Sequence, residues 1–125
     1  MLARPSELTR RVIGCAIEVH RTLGPGLLES AYEACLVQEL TANQIVFRRQ
    51  VSVPFSYKGT PVDCGYRADL IVEDRLLLEL KSVDSLNPVH VAQVLTYLKL
   101  LDLRQGLIVN FNVRRLVDGL KNVLR

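Results

Sequence analysis

Leu76-Leu77-Leu78-Glu79-Leu80-Lys81 is the stretch that decides how this chain folds. Three consecutive leucines fill both faces of an extended segment, the pattern of a central strand covered on each side by another layer. Glu79 and Lys81 then bring two charges out of that run, where burial makes each one costly unless something compensates. The preceding extended segment, Val62 to Val72, supplies a partner strand. A three-residue turn, Glu73-Asp74-Arg75, sets Val72 opposite Leu76, Ile71 opposite Leu77, Leu70 opposite Leu78 and Asp69 opposite Glu79. A two-residue turn would instead strand each charge on a different face, with Asp69 opposite Leu78 and Glu79 opposite Ala68. The register of the three-residue turn is the expected one.

Upstream, Ser6 caps a helix whose apolar positions Leu8, Val12, Ala16, Val19 and Leu23 recur every three or four residues, and Gly24-Pro25-Gly26 ends it. A second helix, about Leu27 to Leu40, has Leu27, Ala31, Ala34 and Leu40 as its inward stripe and Glu29 in its first turn. From Ile45 the period changes to two, with Phe47, Arg49, Val51, Val53 and Phe55 on one face of a strand, Pro54 marking an edge or a break, and Tyr57-Lys58-Gly59-Thr60 supplying a turn.

Downstream, Asn87-Pro88 starts a helix that runs through Val91, Val94, Leu95, Leu98 and Leu101, and Gly106 closes the turn after it. Leu107 to Phe111 is a short buried strand, and the tail through Leu116, Leu120 and Leu124 is either a final helix or a strand. The order helix, helix, strand, strand, strand, helix, strand predicts an α/β three-layer sandwich, a central mixed four-stranded sheet flanked by helices.

Composition agrees with one domain spanning 1–125: apolar residues make up 49% and charged ones 23%, which excludes disordered and collagenous classes. Sixteen basic residues against thirteen acidic ones give a net charge of +3, which permits a polyanionic partner. Only Lys58, Lys81, Lys99 and Lys121 are lysines, and arginine, whose fork matches phosphate, supplies the rest. Cys15, Cys35 and Cys64 are odd in number and widely spaced, a pattern of neither a disulfide framework nor a zinc site, and a reducing cytoplasm suits them. Met1 to Glu7 lacks an apolar signal core, and no apolar run approaches the roughly 20 residues that span a bilayer, so no membrane is expected.

The expected register has a physical consequence. Two carboxylates facing each other across a strand pair repel, and burial raises the penalty. Lys81 projects from the same face as Glu79 by strand alternation and neutralises one charge, leaving the other for a cation. The donors are oxygens, with no Cys or His nearby in sequence, so a hard divalent ion, Mg²⁺ or Mn²⁺, fits.

Gly26-Leu27-Leu28-Glu29-Ser30-Ala31-Tyr32 is similar to the signature of the GxxExxY protein family, and Asp69 followed by Glu79-Leu80-Lys81 resembles the active-site motif of the PD-(D/E)XK nuclease superfamily. The stretch from His90 through Gln93 and Tyr97 to Lys99, and then Asn110-Phe111, extends the resemblance over nearly the whole chain. One departure is Ala68-Asp69 where the superfamily name has Pro-Asp. The resemblance implies a restriction-endonuclease-like fold and metal-dependent hydrolysis of nucleic acid, DNA ahead of RNA. It implies Asp69 and Glu79 as metal ligands, joined by the Leu80 carbonyl and by Glu29, the last through water. Lys81 would orient the attacking water or offset charge on phosphorus. Gln93 and Tyr97, one helical turn apart, resemble the QxxxY element that helps position the site and the nucleic acid. A homodimer is expected, since small nuclease cores often need a second copy to embrace a duplex.

Plainer roles stand beside these. Glu79 and Lys81 also suit a structural ion pair, Tyr32 a packed core position, Gly26 a backbone requirement, and Glu73 and Asp74 turn residues. His90 lies three residues before Gln93 on one helical face, either at the phosphate or metal shell or simply exposed in the first turn. Arg114 and Arg115 either clamp a nucleic-acid backbone or form a solvated face. The rival to a nuclease is a catalytically inactive module of the same fold that binds nucleic acid or a protein partner. A third reading is a site for a nucleotide or another phosphate ester.

Overall fold

The structure, a computed structural model, describes residues 6–125. Met1 to Pro5, part of the stretch read above for its lack of a signal core, lie outside them. Two helices open the chain, α1 (Glu7–Leu23) and α2 (Glu29–Ala42). The Ser6 hydroxyl caps α1 by accepting the Thr9 N–H at 3.1 Å, and Leu8, Val12, Cys15, Ala16 and Val19 form its buried stripe. Between the helices Gly26 adopts φ +97°, a conformation for which glycine alone carries no steric cost. The Tyr32 hydroxyl donates to the Gly24 carbonyl at 2.6 Å and accepts the Leu27 N–H at 3.2 Å, and its ring stacks on Phe111 at 4.3 Å. Tyr32 is thereby a core residue that pins the corner.

The inward face of α2 differs from the expected stripe. Tyr32, Glu33, Leu36 and Leu40 are buried, while Leu27 precedes the helix and Ala34 is exposed. Large side chains at Tyr32 and Leu36 fill the space against the sheet that two alanines would leave open, and their rotation carries Glu33 inward.

The strands are β1 (Phe47–Ser52), β2 (Ser56–Tyr57), β3 (Thr60–Pro61), β4 (Arg67–Val72), β5 (Leu76–Lys81), β6 (Gln105–Asn110) and β7 (Leu120–Leu124), with α3 (Pro88–Leu101) between β5 and β6. One sheet has five strands in the order β1-β4-β5-β6-β7, and β2 with β3 forms a separate hairpin. β5 and β6 run parallel through the α3 crossover, and the other pairs are antiparallel. The α1 and α2 residues pack on Leu70, Val72, Leu76, Leu78, Leu80, Leu107 and Val109, whereas α3 packs on Ile71, Leu77 and Ile108. The α/β three-layer arrangement is thus present, and the leucine run is covered on both faces as its composition required.

Four details differ from expectation. The sheet gains a fifth strand because the tail passes through a 3-10 turn at Leu116–Gly119 and then pairs with β6 as β7. Val62 to Val72 is not one strand, since Asp63 accepts the Gly65 N–H at 3.2 Å and Gly65 turns at φ +69° before β4 begins. The expected Tyr57-to-Thr60 turn is present, with Lys58 and Gly59 at positive φ, but it closes the separate hairpin of β2 on β3 and not the long strand pair. Gly106 does not close α3, whose cap is Asp102 in the left-handed region. It lies inside β6, where a Cβ would come within 2.7 Å of Val94 Cγ1.

Candidate functional site

β4 and β5 pair at Val72↔Leu76, Ile71↔Leu77 and Leu70↔Leu78, the register of the three-residue turn. Past Leu70 and Leu78 the ladder gives way to side-chain bonds. The Leu80 N–H donates to Asp69 Oδ2 at 2.8 Å, and the Asp69 N–H donates to Glu79 Oε1 at 3.3 Å. On the other side of Asp69 the β1–β4 ladder skips Gln50, whose φ is +49°. Asp69 therefore stands where both neighbouring ladders are interrupted. Alternation places Glu79 and Lys81 on the same face as Leu77, the face that α3 covers.

Burial sets the electrostatics. Glu79 is buried and Asp69 half-buried. Burial first, and the charge of Asp69 second, push the Glu79 carboxyl up from 4.5 to about 8. Burial likewise raises Asp69, opposed by the hydrogen bond from the Leu80 N–H. Lys81 lowers both, as the smallest of the named influences.

A third acid, Glu33, acts on Asp69 electrostatically. Glu33, buried on α2, contributes a charge that raises Asp69. Its Oε2 accepts from Arg49 Nη2 at 3.0 Å and its Oε1 from Gln50 Nε2 at 2.8 Å. Adjacent residues of a regular strand point to opposite faces, and the positive φ at Gln50 is what lets Arg49 and Gln50 grip one carboxylate. Glu29 is exposed at the start of α2, beside Leu27, Leu28 and Ser82. The signal for Glu33 was its place one turn after Glu29, legible only once the rotation of α2 is known.

On α3 the Gln93 side-chain amide donates to the Tyr97 hydroxyl at 3.3 Å. Burial and then the charge of Glu79 raise the Tyr97 phenol, so this side chain lies within electrostatic reach of the carboxylates. His90 instead closes the start of the helix. Its Nδ1 accepts the Asn87 N–H at 3.1 Å while Asn87 Oδ1 accepts from Val89 and His90, a reciprocal cap. Arg114 and Arg115 are exposed after β6, and Arg115 lines a shallow cleft with Ile17, His20 and Arg21 on the α1 side.

Asn110, a buried polar residue at the end of β6, holds the chain that follows Lys81. Its Oδ1 accepts the N–H groups of Val83 at 3.1 Å and Asn112 at 3.2 Å, and its Nδ2 donates to the Val83 carbonyl at 3.0 Å. The Phe111 N–H donates to the Lys81 carbonyl at 2.9 Å.

Two carboxylates and a lysine at the point where a central strand pair parts, on a sheet walled by helices, form the frame against which known families can be compared. Residues 6–123 match the PD-(D/E)XK nuclease superfamily. The chain belongs to that superfamily. No curated protein and no solved structure matches it. Superfamily chemistry uses divalent metal ions, and the donor set here suits one. Asp69 and Glu79 offer hard oxygen atoms at one point of the sheet, joined through the Asp69 N–H. Among the described residues no three His, Cys, Asp or Glu side chains converge as a metal-binding group. A Mg²⁺-type ion, which keeps several waters and takes one or two carboxylates, asks for no more than this pair. Among the described residues no helix is long and apolar enough to cross a membrane.

Proposed function

We propose that this protein is a nuclease that hydrolyses phosphodiester bonds in nucleic acid, DNA before RNA, with Mg²⁺ or Mn²⁺ held by Asp69 and Glu79. The observation that carries this reading is the junction of β4 and β5, where the Asp69 and Glu79 carboxylates accept backbone N–H groups beyond the last ladder pair, with Lys81 on the same face as Glu79. An ion bound there supplies positive charge that acidifies a nearby water and offsets the charge developing on phosphate oxygen.

The chain's own groups do the rest. Asp69 is held in place by the Leu80 N–H, so its second oxygen is aimed by the backbone and not by a free rotor. Lys81 Nζ, on the same face, donates to the attacking water or to a phosphate oxygen. The Tyr97 hydroxyl, held by Gln93, lies within electrostatic reach of the carboxylates on the α3 side. Glu33, clamped by Arg49 and Gln50, adds negative charge from the α2 side. Glu29 enters this proposal only as a more distant, water-linked partner. The free thiols of Cys15, Cys35 and Cys64 accord with work in a reducing cytoplasm.

The test is cleavage of labelled single- and double-stranded DNA and RNA with Mg²⁺ or Mn²⁺, comparing the protein with its Lys81→Ala variant, in which both acids remain. Metal-dependent cleavage that drops about a hundredfold or more in the variant supports the reading. Absence of cleavage on every substrate, with ion binding shown separately by calorimetry, transfers the site to a non-catalytic nucleic-acid or protein-binding role.

A further inference from the structure

On the α3 side of the sheet, against Tyr97, which packs in one cluster with Ala68, next to Asp69, and Leu77, two residues before Glu79, lies a cleft of about 370 Å³. Phe55 and Tyr66 form one wall, and Val89, Gln93, Thr96 and Tyr97 of α3 form the other. Three aromatic rings line it in sequence: Phe55 meets Tyr66 edge-on at 6.4 Å, and Tyr66 meets Tyr97 at 6.0 Å with a 50° tilt. Tyr66 is 45% exposed although its ring touches two others, so one face of an aromatic platform is open to solvent. Its volume suits a planar heterocycle, since small-molecule sites begin at about 300 Å³.

The geometry points to this cleft as the seat of an unpaired nucleobase next to the scissile phosphate, which makes a single strand, or a frayed end, the substrate. The inference rests on the nuclease reading for its position and on the cleft for its chemistry. Tyr97 links the two places: it walls the cleft, packs with Ala68 and Leu77 beside the carboxylates, and lies within electrostatic reach of Glu79. A strand whose phosphate meets Asp69 and Glu79 would carry the neighbouring base across that shared ring. Aromatic faces accept every base by stacking, whereas a base kept in a duplex hides its faces against its neighbours. The Gln93 amide, with one N–H committed to Tyr97, has its carbonyl and second N–H for a base edge. The surrounding Val89 and Thr96 methyl groups add apolar contact and no competing charge.

Fluorescence anisotropy with labelled oligothymidylate and with a blunt duplex, in EDTA so that nothing is cut, tests the inference with Tyr66→Ala and Tyr66→Phe. Tyr66 is partly exposed, and circular dichroism of both variants checks that the fold is kept. Tyr66→Ala is expected to weaken single-strand binding about five- to a hundredfold, the loss of one stacked base, and Tyr66→Phe to restore it. An oligothymidylate carrying one abasic position should bind folded wild-type protein less tightly in the same assay. Single-strand affinity unchanged in Tyr66→Ala, or tighter binding of the duplex than of the single strand by wild type, overturns the inference. Cleavage measured in parallel separates the two readings. Metal-dependent cleavage lost in Lys81→Ala but indifferent to Tyr66 would leave the nuclease and remove the base seat. A Tyr66-dependent affinity without cleavage would do the reverse.

Discussion

Asp69 and Glu79 are joined through the backbone of one and the side chain of the other: the Asp69 N–H donates to Glu79 Oε1 at 3.3 Å. The two acids therefore meet at one point of the sheet, where burial and then the charge of Asp69 push the Glu79 carboxyl up to about 8.

A divalent ion should relieve the repulsion between them. Added Mg²⁺ or Mn²⁺ is expected to raise the melting temperature of the protein, by an amount equivalent to about 3 kcal/mol at a hundredfold excess over the dissociation constant. Asp69→Asn and Glu79→Gln should each remove most of the increase. Differential scanning fluorimetry across a metal titration reads this, and a shift unchanged in both variants would place the ion elsewhere.

Stability without metal should depend on pH in the sense opposite to an ordinary surface carboxylate. The folded state keeps a proton on Glu79 between 4.5 and about 8, a range in which the unfolded chain has released it. The stabilisation is complete below 4.5 and is lost as pH rises through about 8, at roughly a kcal/mol per pH unit at most. Urea unfolding in EDTA at a series of pH values measures the slope. Glu79→Gln should flatten it.

Asn110→Ala should lower both stability and rate. Three hydrogen bonds that hold Val83 and Asn112 disappear, at a combined cost of about 2 to 4 kcal/mol. The freed segment begins two residues after Lys81, so kcat should fall while KM for the nucleic acid changes little. Chemical denaturation and steady-state cleavage check the two parts independently.

Gly106→Ala is expected to destabilise by about 1 to 3 kcal/mol, because the new methyl group meets Val94 across the contact between β6 and α3. The variant should keep its cleavage activity per folded molecule. Pairing it with Val94→Ala, which empties the space the methyl group would occupy, should recover part of the loss in a thermal melt.

The β4–β5 register was legible because turn length fixes parity, and only one parity pairs Leu70, Ile71 and Val72 with Leu78, Leu77 and Leu76. Glu73 and Asp74 both take positive φ, as residues of a tight turn do. The fifth strand was hidden because Leu116, Leu120 and Leu124 recur at a spacing that a helix would satisfy, whereas in the folded chain Leu124 is exposed and Val123 is buried instead. Glu33 was hidden because α2 carries apolar residues on several sides, so sequence alone left its rotation open. The kink at Gln50 has no sequence mark at all: a glutamine reaches positive φ there because Glu33 and the strand pairing on either side hold it. The aromatic cleft depends on Phe55 and Tyr66, which lie outside the strands on either side of the small hairpin and meet α3 only in three dimensions.

The broken ladder on both sides of Asp69 also bears on how such a chain would drift over generations. Backbone bonding that a plain sheet would carry through this point is here handed to acidic side chains, and apolar residues at 69 and 79 would let the strands zip shut. Replacing both acids would thus be met by a sturdier fold, since residues placed for a site and not for the sheet cost stability.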